Sequence, residues 1–369
     1  MSRLSIIIPA YNEERSLAAC VERVVAIGSD ALPLEVIVVD DASNDGTWQC
    51  AEALAARHPA VRVLRHPVNQ GKGAALHSGF RHATGDFVAV QDADLEYDPR
   101  DLIRLVEPLV DGTADVVIGS RFLSTGRHRV LYFWHSVGNR VLTLLSNMFT
   151  DLNLTDMESC YKVFRRALLD DIELHERRFG FEPEIIAQFA RKRLRIYEMG
   201  ISYEGRTYEQ GKKIGVRDGF RALYCILRYN LPHAPMPIQF AVYVIVGGLC
   251  AALNLAVFVA LLAPLSVWVA APAAFAVAAI ANYWLSTALL FRRNARWSTA
   301  TELAVYAAVV AAGAAVDAAI TAALIAADVS PPGAKALASA AALALNFAGR
   351  RVLVFPEHPP GPWSPAGRR

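Results

Sequence analysis

The chain has 369 residues, enough for two domains with separate cores. Its formal net charge of +2, with basic and acidic residues interspersed, leaves no electrostatic footprint for nucleic acid, and a 54% hydrophobic content with mean hydropathy of +0.28 excludes an ordinary soluble enzyme. The cysteines, Cys20, Cys50, Cys160, Cys225 and Cys250, form no Cys-x-x-Cys pair, which fits a reducing compartment without structural zinc or disulfides.

The opening MSRLSIIIPAYNEE reads as a first strand rather than a signal peptide, so this end is expected to stay cytoplasmic. Short β-branched runs then alternate with helical stretches, the pattern of a mostly parallel sheet with crossover helices. Strands are predicted at Leu4 to Ile8, Glu35 to Val39, Val61 to Leu64, Phe87 to Val90 and Asp115 to Ile118. Helices are predicted at Glu13 to Ile27, Gly46 to Arg57, Gly71 to Ala83 and Pro99 to Leu109, then near Val137 to Thr150, Ala167 to Asp170 and Glu182 to Arg191. From Gly215 to Tyr229, Arg217, Arg221 and Arg228 recur on one side and Phe220, Leu223, Tyr224 and Leu227 on another. Such a helix either lies in the head-group plane of a bilayer or packs on the preceding domain. Leu231 to Pro237, LPHAPMP, breaks it.

Four apolar stretches follow, near 238–263, 267–291, 303–326 and 334–355. Each approaches the ~20 residues needed to cross a bilayer core. Arg292, Arg293 and Arg296 between the second and third, with Arg368 and Arg369 at the end, place both termini and the first half on the cytoplasmic side. Asn282-Tyr283 before Phe291 and Asn346-Phe347 before Phe355 share an offset, which two copies of a helical pair would explain. Asn254, Asn282, Asp317 and Asn346 should face other helices, as interhelical glue by default. The organisation expected is a catalytic domain over 1–213, a juxtamembrane helix and linker over 214–237, four spans over 238–356 and a cytoplasmic tail over 357–369.

The chemistry gathers at predicted strand ends, where open α/β sheets build ligand sites. Phe87 to Pro99, FVAVQDADLEYDP, delivers Asp92, Asp94 and Glu96 in alternation. Three converging carboxylates repel one another unless a cation sits among them, so Mg²⁺ or Mn²⁺ with a phosphorylated substrate is one reading and a solvated acidic turn the other. Pro9-Ala10-Tyr11-Asn12-Glu13 could grip a nucleoside, and Asp40-Asp41 could hold ribose hydroxyls or a base edge while Asp45 caps the next helix. Gly71-Lys72-Gly73 opens a helix whose backbone N–H groups and lysine suit a diphosphate, without the spacing of a P-loop.

PAYNE, DDASNDGT, GKGAALHSG and QDADLEYDP, in this order, resemble the inverting nucleotide-sugar glycosyltransferases of family 2, with the GT-A fold. Gly119-Ser120-Arg121-Phe122, TDMESCYKVFRR from Thr155, FEPE from Phe181 and YEGRTYEQGKKI from Tyr203 resemble the dolichol-phosphate mannose synthase branch. The endings NYWLSTALLF and NFAGRRVLVF are similar to a GtrA-like membrane domain. The fold class implied is α/β, a Rossmann-like, mostly parallel sheet domain followed by an all-α domain of four transmembrane spans.

The resemblance implies donor nucleotide contacts at Pro9, Ala10, Tyr11, Glu13, Asp41, Lys72 and Asp92, and a metal with the donor diphosphate at Asp92, Asp94 and Glu96. It implies acceptor-phosphate contacts at Arg121, Ser136, Arg140 and Arg206, with Asp94, Arg121 and Asp156 as catalytic candidates. Asp156 stands where enzymes with hydroxyl acceptors keep a base; its other reading is to position cationic side chains around the acceptor. Ala42 replaces a usual Gly, with little consequence if its φ is negative. The activity implied is transfer of a hexose, mannose from GDP-mannose first, to a polyprenyl or dolichyl phosphate at the cytoplasmic membrane face. A UDP-glucose or UDP-N-acetylhexosamine donor, or a lipid-sugar flippase or scaffold with an inactive transferase half, are the alternatives.

Overall fold

The near-continuous apolar runs IIIPA, EVIVVD and FVAV form the centre of a seven-stranded sheet, because strands covered on both faces have no side on which to expose polar residues. In this computed structural model the described residues are 2–123, 130, 132–205, 216–262, 264, 266–290 and 299–355. The strands are β1 (Leu4–Ala10), β2 (Leu34–Asp40), β3 (Val61–Arg65), β4 (Phe87–Val90), β5 (Val116–Ser120), β6 (Lys162–Arg165) and β7 (Ile196–Gly200), in spatial order β3-β2-β1-β4-β6-β5-β7. All neighbouring pairs run parallel except those of β6, which is antiparallel to both β4 and β5.

The crossovers are α1 (Leu17–Val25), α2 (Thr47–Arg57), α3 (Lys72–His82) and α4 (Arg100–Val110). Helix α3 lies so close to β1 that a Cβ on Gly79 would come within 2.2 Å of the Ile7 side chain. Further on come α5 (Phe133–Thr150), a 3₁₀ turn at Arg166–Asp170, α6 (Phe181–Arg191) and α7 (Val216–Asn230). Strands β6 and β7 escape the sequence reading: the first is short and charged at both ends, and the second, at the sheet edge, has no buried residue and no alternation to read.

Helix α7 resolves the choice left open by its sequence in part. It packs on α5 and α6 through Ala222, Cys225, Ile226 and Tyr229, and Arg221 is paired with the buried Glu176. Phe220 and Tyr224 nevertheless point outward, with Arg228 donating to the Tyr224 hydroxyl at 2.8 Å. The same outward display occurs on α5, where Phe133, Trp134, Val141, Leu144 and Met148 are exposed.

Ala42 corrects one expectation. It sits at φ 59°, in the left-handed region, where an L side chain costs about 1–2 kcal/mol. The turn after β2 has to reverse tightly so that Ser43 can receive the Asn12 amide at 2.9 Å. Ala42→Gly is therefore expected to stabilise the domain by about 1 kcal/mol, raising the unfolding midpoint of the solubilised chain by about 2–4 °C. A scanning fluorimetry trace with an unchanged or lower midpoint would contradict this.

Residues 231–360 form a second compact unit. Its helices are α8 (Met236–Leu262), α9 (Val267–Leu285), α10 (Thr299–Ala326) and α11 (Pro331–Gly349), with π-helical turns at Ser286–Leu290 and Arg350–Val354. These helices supply 4 stretches long and apolar enough to cross a membrane. The suspected repeat is visible in the elements: α9 and α11, their π-helical turns, and the ends of α8 and α10 stand 64 positions apart. Arg292, Arg293, Arg296, Arg368 and Arg369, on which the orientation reading rests, lie outside the described residues.

Candidate active site

The carboxyl ends of β1, β2 and β4 carry the donor-side residues. Pro9 and Ala10 close β1; Tyr11 is exposed beyond it, and Asn12 turns the chain at φ 55°. Glu13 accepts a hydrogen bond from the Ser16 hydroxyl at 2.7 Å, and its amide donates to Thr47 Oγ1 at 2.9 Å.

Asp41 is buried, and its carboxylate accepts from the amides of Gln70 at 2.9 Å and Gly71 at 2.6 Å. His66 Nδ1 lies 2.7 Å from the same carboxylate, and His66 Nε2 lies 2.8 Å from Ser78 Oγ. Asp41 thus fixes the loop entering α3. Gly71 makes that loop possible, with a φ of 98° and a backbone so near the Arg177 carbonyl that a Cβ would sit 2.5 Å from its oxygen.

Part of the GKG loop is engaged within the protein. The amides of Gln70 and Gly71 serve Asp41, and that of Ala74 donates to the Arg177 carbonyl at 2.9 Å, so these N–H groups are engaged within the protein. What the motif contributes is Lys72. Its ammonium lies 2.9 Å from Asp92 and 2.9 Å from Glu182, the latter at the start of α6. Burial works against its charge, but the two carboxylates outweigh it and lift the Lys72 pKa well above the ordinary value. Glu182 belongs to the FEPE run, which the sequence marked without assigning a role.

The acidic loop is likewise less convergent than its spacing implied. Leu95 sits at φ 63° between Asp94 and Glu96, and the Glu96 amide donates back to Asp94 Oδ1 at 3.2 Å. Glu96 Oε2 accepts from the Tyr203 hydroxyl at 2.7 Å. Among the described residues no group of three or more His, Cys, Asp or Glu side chains is placed to hold a metal. Asp92 faces Lys72, the Glu96 amide returns to Asp94, and the Glu96 carboxylate meets Tyr203.

Tyr203 joins this loop to the other half of the site. Its ring packs 5.2 Å from that of Tyr97, and the Arg121 guanidinium lies 5.3 Å from its centre. Arg121, just past β5, grips Asp156 with both prongs of its fork, Nε to Oδ2 at 2.6 Å and Nη2 to Oδ1 at 2.7 Å. Asn139 of α5 bridges the two, accepting from Arg121 at 3.2 Å and donating to Asp156 at 3.1 Å. Asp156 has no exposed surface. Asp156 is thus a fully buried carboxylate paired with the Arg121 guanidinium, an arrangement suited to orienting that fork.

Arg140 lies on the outer side of α5, its guanidinium 5.9 Å from the Phe122 ring, as is that of Arg121. The Ser136 hydroxyl donates to the Tyr132 carbonyl at 3.2 Å. Arg206 lies outside the described residues. Sequence reasoning missed Tyr203, Asn139 and Glu182, and the last could have been found as the acid opening a predicted helix.

Residues 5–173 match glycosyl transferase family 2, and residues 242–355 match the GtrA/DPMS transmembrane domain. An undecaprenyl-phosphate mannosyltransferase of Micrococcus luteus is 34% identical over 226 residues, 58% of this chain and 88% of that protein. The chain belongs to glycosyltransferase family 2. Within the family it is also similar to a dolichol-phosphate mannosyltransferase of Pyrococcus furiosus, 28% identical over 62% of this chain, and it spans 64% of that relative, just under two thirds. An undecaprenyl-phosphate 4-deoxy-4-formamido-L-arabinose transferase of Aeromonas hydrophila is 32% identical over 57% of this chain and 62% of its own length. A crystal structure of Mycobacterium tuberculosis glucosyl-3-phosphoglycerate synthase aligns with a TM-score of 0.50 at 22% identity, covering 63% of this chain and 80% of that one. That likeness identifies the GT-A-like fold of the family 2 domain.

Proposed function

We propose that this protein transfers a hexose from a nucleotide-sugar donor to a polyprenyl phosphate, with inversion at the sugar C1 and with GDP-mannose as the favoured donor. The observation that carries the reading is the oriented Arg121 fork, linked through Tyr203 to the Asp92 to Glu96 loop, in a chain that continues into four apolar spans. An arginine held by a buried carboxylate on one side presents its remaining edge to an anion, and a guanidinium stays charged throughout the working pH range. The activities of the Micrococcus and Pyrococcus relatives support a polyprenyl phosphate acceptor and mannose; that of the Aeromonas relative supports the same acceptor class with another sugar.

The acceptor is a nucleophile without help. A phosphate monoester with a second pKa of about 6 is largely dianionic at neutral pH, so the role left for Arg121 is to aim it rather than to deprotonate it. Arg140, exposed near Phe122, and Ser136 complete the acceptor side of the proposal, with Arg206. On the donor side the exposed Tyr11 ring is proposed to stack on a base, while Lys72 neutralises Asp92 from within.

Asp92, Asp94 and Glu96 are proposed to hold a hard divalent cation, since they offer carboxylate oxygens just past the end of β4. Bound Mg²⁺ or Mn²⁺ would neutralise charge on the departing nucleoside diphosphate. The outward aromatic and aliphatic side chains of α5 and α7 support a face apposed to lipid, from which a polyprenyl chain could be presented. Both termini and the catalytic half are proposed to be cytoplasmic.

Membranes carrying the protein, supplied with polyprenyl phosphate and Mn²⁺ or Mg²⁺, are expected to form butanol-extractable label from one of GDP-mannose, UDP-glucose or UDP-N-acetylglucosamine. Label from GDP-mannose alone supports the favoured donor. No lipid-extractable label from any of the three would sink the transferase reading and favour a scaffold.

A further inference from the structure

The second unit contains a cation that the transfer chemistry does not use. Arg350, in the π-helical turn that ends α11, is 6% exposed. Its Nη1 donates to Asn282 Oδ1 at 2.8 Å and to Ser286 Oγ at 3.4 Å, and Ser286 is the residue equivalent to Arg350 in the first copy of the repeat. The guanidinium carbon lies 4.4 Å from the centre of the Tyr306 ring and 5.2 Å from that of Tyr243. All four spans or their ends therefore contribute to this one pocket around the charge.

These contacts satisfy part of the guanidinium but do not cancel its charge. Its Nε is buried without a hydrogen-bond partner, and among the described residues no carboxylate lies within 4.0 Å of it. The acid of the neighbourhood, Glu302, is 2% exposed and accepts from the Tyr283 hydroxyl at 2.7 Å, separated from Arg350 by the edge-to-face pair Tyr283 and Tyr306. An ionised group inside a membrane unit is costly unless it meets an opposite charge, and rings and amides supply only partial charges. In a unit of four spans the ends of α9 and α11 and the starts of α8 and α10 fall at the same end, and Arg350 lies inside the last apolar stretch, Leu337–Val354, close to that end.

We propose that Arg350, with Asn282, Ser286, Tyr243 and Tyr306, forms a binding site for the phosphate head group of a lipid. The missing counter-charge is anionic, and phosphate accepts guanidinium N–H donors such as the unpartnered Nε, while the Tyr306 hydroxyl, which donates to Asn282 Oδ1 at 3.3 Å, holds the amide in place. A lipid supplies that anion at this depth while its tail remains among the spans. The site is independent of the donor and acceptor chemistry of the first unit.

The test uses the full chain in detergent, with native mass spectrometry counting bound molecules of a polyprenyl phosphate, of phosphatidic acid, of diacylglycerol and of inorganic phosphate. The wild type is expected to carry one more phosphate-bearing lipid than Arg350→Gln, Arg350→Lys is expected to recover at least half of that occupancy, and diacylglycerol is expected to bind all three alike. Loss confined to polyprenyl phosphate assigns the isoprenoid lipid, and loss of both phosphate lipids assigns the head group in general. Unchanged occupancy in Arg350→Gln, parallel loss of diacylglycerol, or a site filled by inorganic phosphate and no lipid would each overturn the proposal. A measurement on the wild type guards against a variant that fails to fold: phosphatidic acid or polyprenyl phosphate must raise its unfolding temperature where diacylglycerol does not, and the absence of that difference also overturns it.

Discussion

Asp94→Ala will abolish sugar transfer, by a factor of at least about 10³, while the protein still inserts into membranes. The size follows from what the acidic loop would do: holding a divalent cation against a departing diphosphate contributes several kcal/mol to the transition state, and each 1.36 kcal/mol is tenfold in rate. Insertion is expected to survive because the apolar spans lie in a separate compact unit, and because Asp94 is on a loop after β4 rather than within the sheet. Lipid-extractable label measures the first effect and resistance to alkaline carbonate extraction the second. Glu96→Gln provides the contrast: an amide oxygen can still accept from Tyr203, so this variant should lose far less than Asp94→Ala. Turnover retained in Asp94→Ala would remove Asp94 from the metal site, and equal losses in the two variants would mean that the loop acts through its shape.

The contrast between Asp94 and Glu96 also marks the limit of what the sequence discloses. Alternation after a strand places Asp92, Asp94 and Glu96 together on the page, but it does not disclose that Leu95 takes a positive φ and that Glu96 meets Tyr203. Backbone conformation of that kind is set by what the loop must reach, here Tyr203, more than a hundred residues along the chain. The same applies to Ala42, whose strained turn is dictated by a hydrogen bond from Asn12. Periodic features were readable: the first five strands, their crossover helices and the four spans follow from hydrophobic spacing, which is local. Strand β6 was not, because its four residues gain their place from β4 and β5 on either side. Asn139 became visible only through its partners, since one amide on a helix face carries no distinguishing signal by itself.

Asp156→Asn is the second large effect, and its signature separates an orienting carboxylate from a general base. Burial opposes the charge on Arg121, yet Asp156 outweighs it and keeps the guanidinium pKa well above the ordinary value. Replacing one carboxylate oxygen with an NH₂ group turns a donor toward a donor, so the Arg121 fork loses its fixed direction and one of its two parallel hydrogen bonds. An anion-stabilising group that is lost or misaligned lowers catalysis by about 10²–10³. The acceptor phosphate should therefore show a raised KM together with a lowered kcat, the donor KM should be unchanged, and Arg121→Lys should reproduce the pattern because a lysine keeps the charge but not the fork. If Asp156 were instead the base, kcat alone would fall, the acceptor KM would hold, and part of the rate would return as the pH is raised. Breaking a buried pair costs about 3–5 kcal/mol of stability, so both variants are to be compared at a temperature where circular dichroism finds them folded. An Asp156→Asn enzyme with a wild-type acceptor KM and a pH-rescued kcat would return Asp156 to the chemistry and leave Arg121 to bind the acceptor unaided.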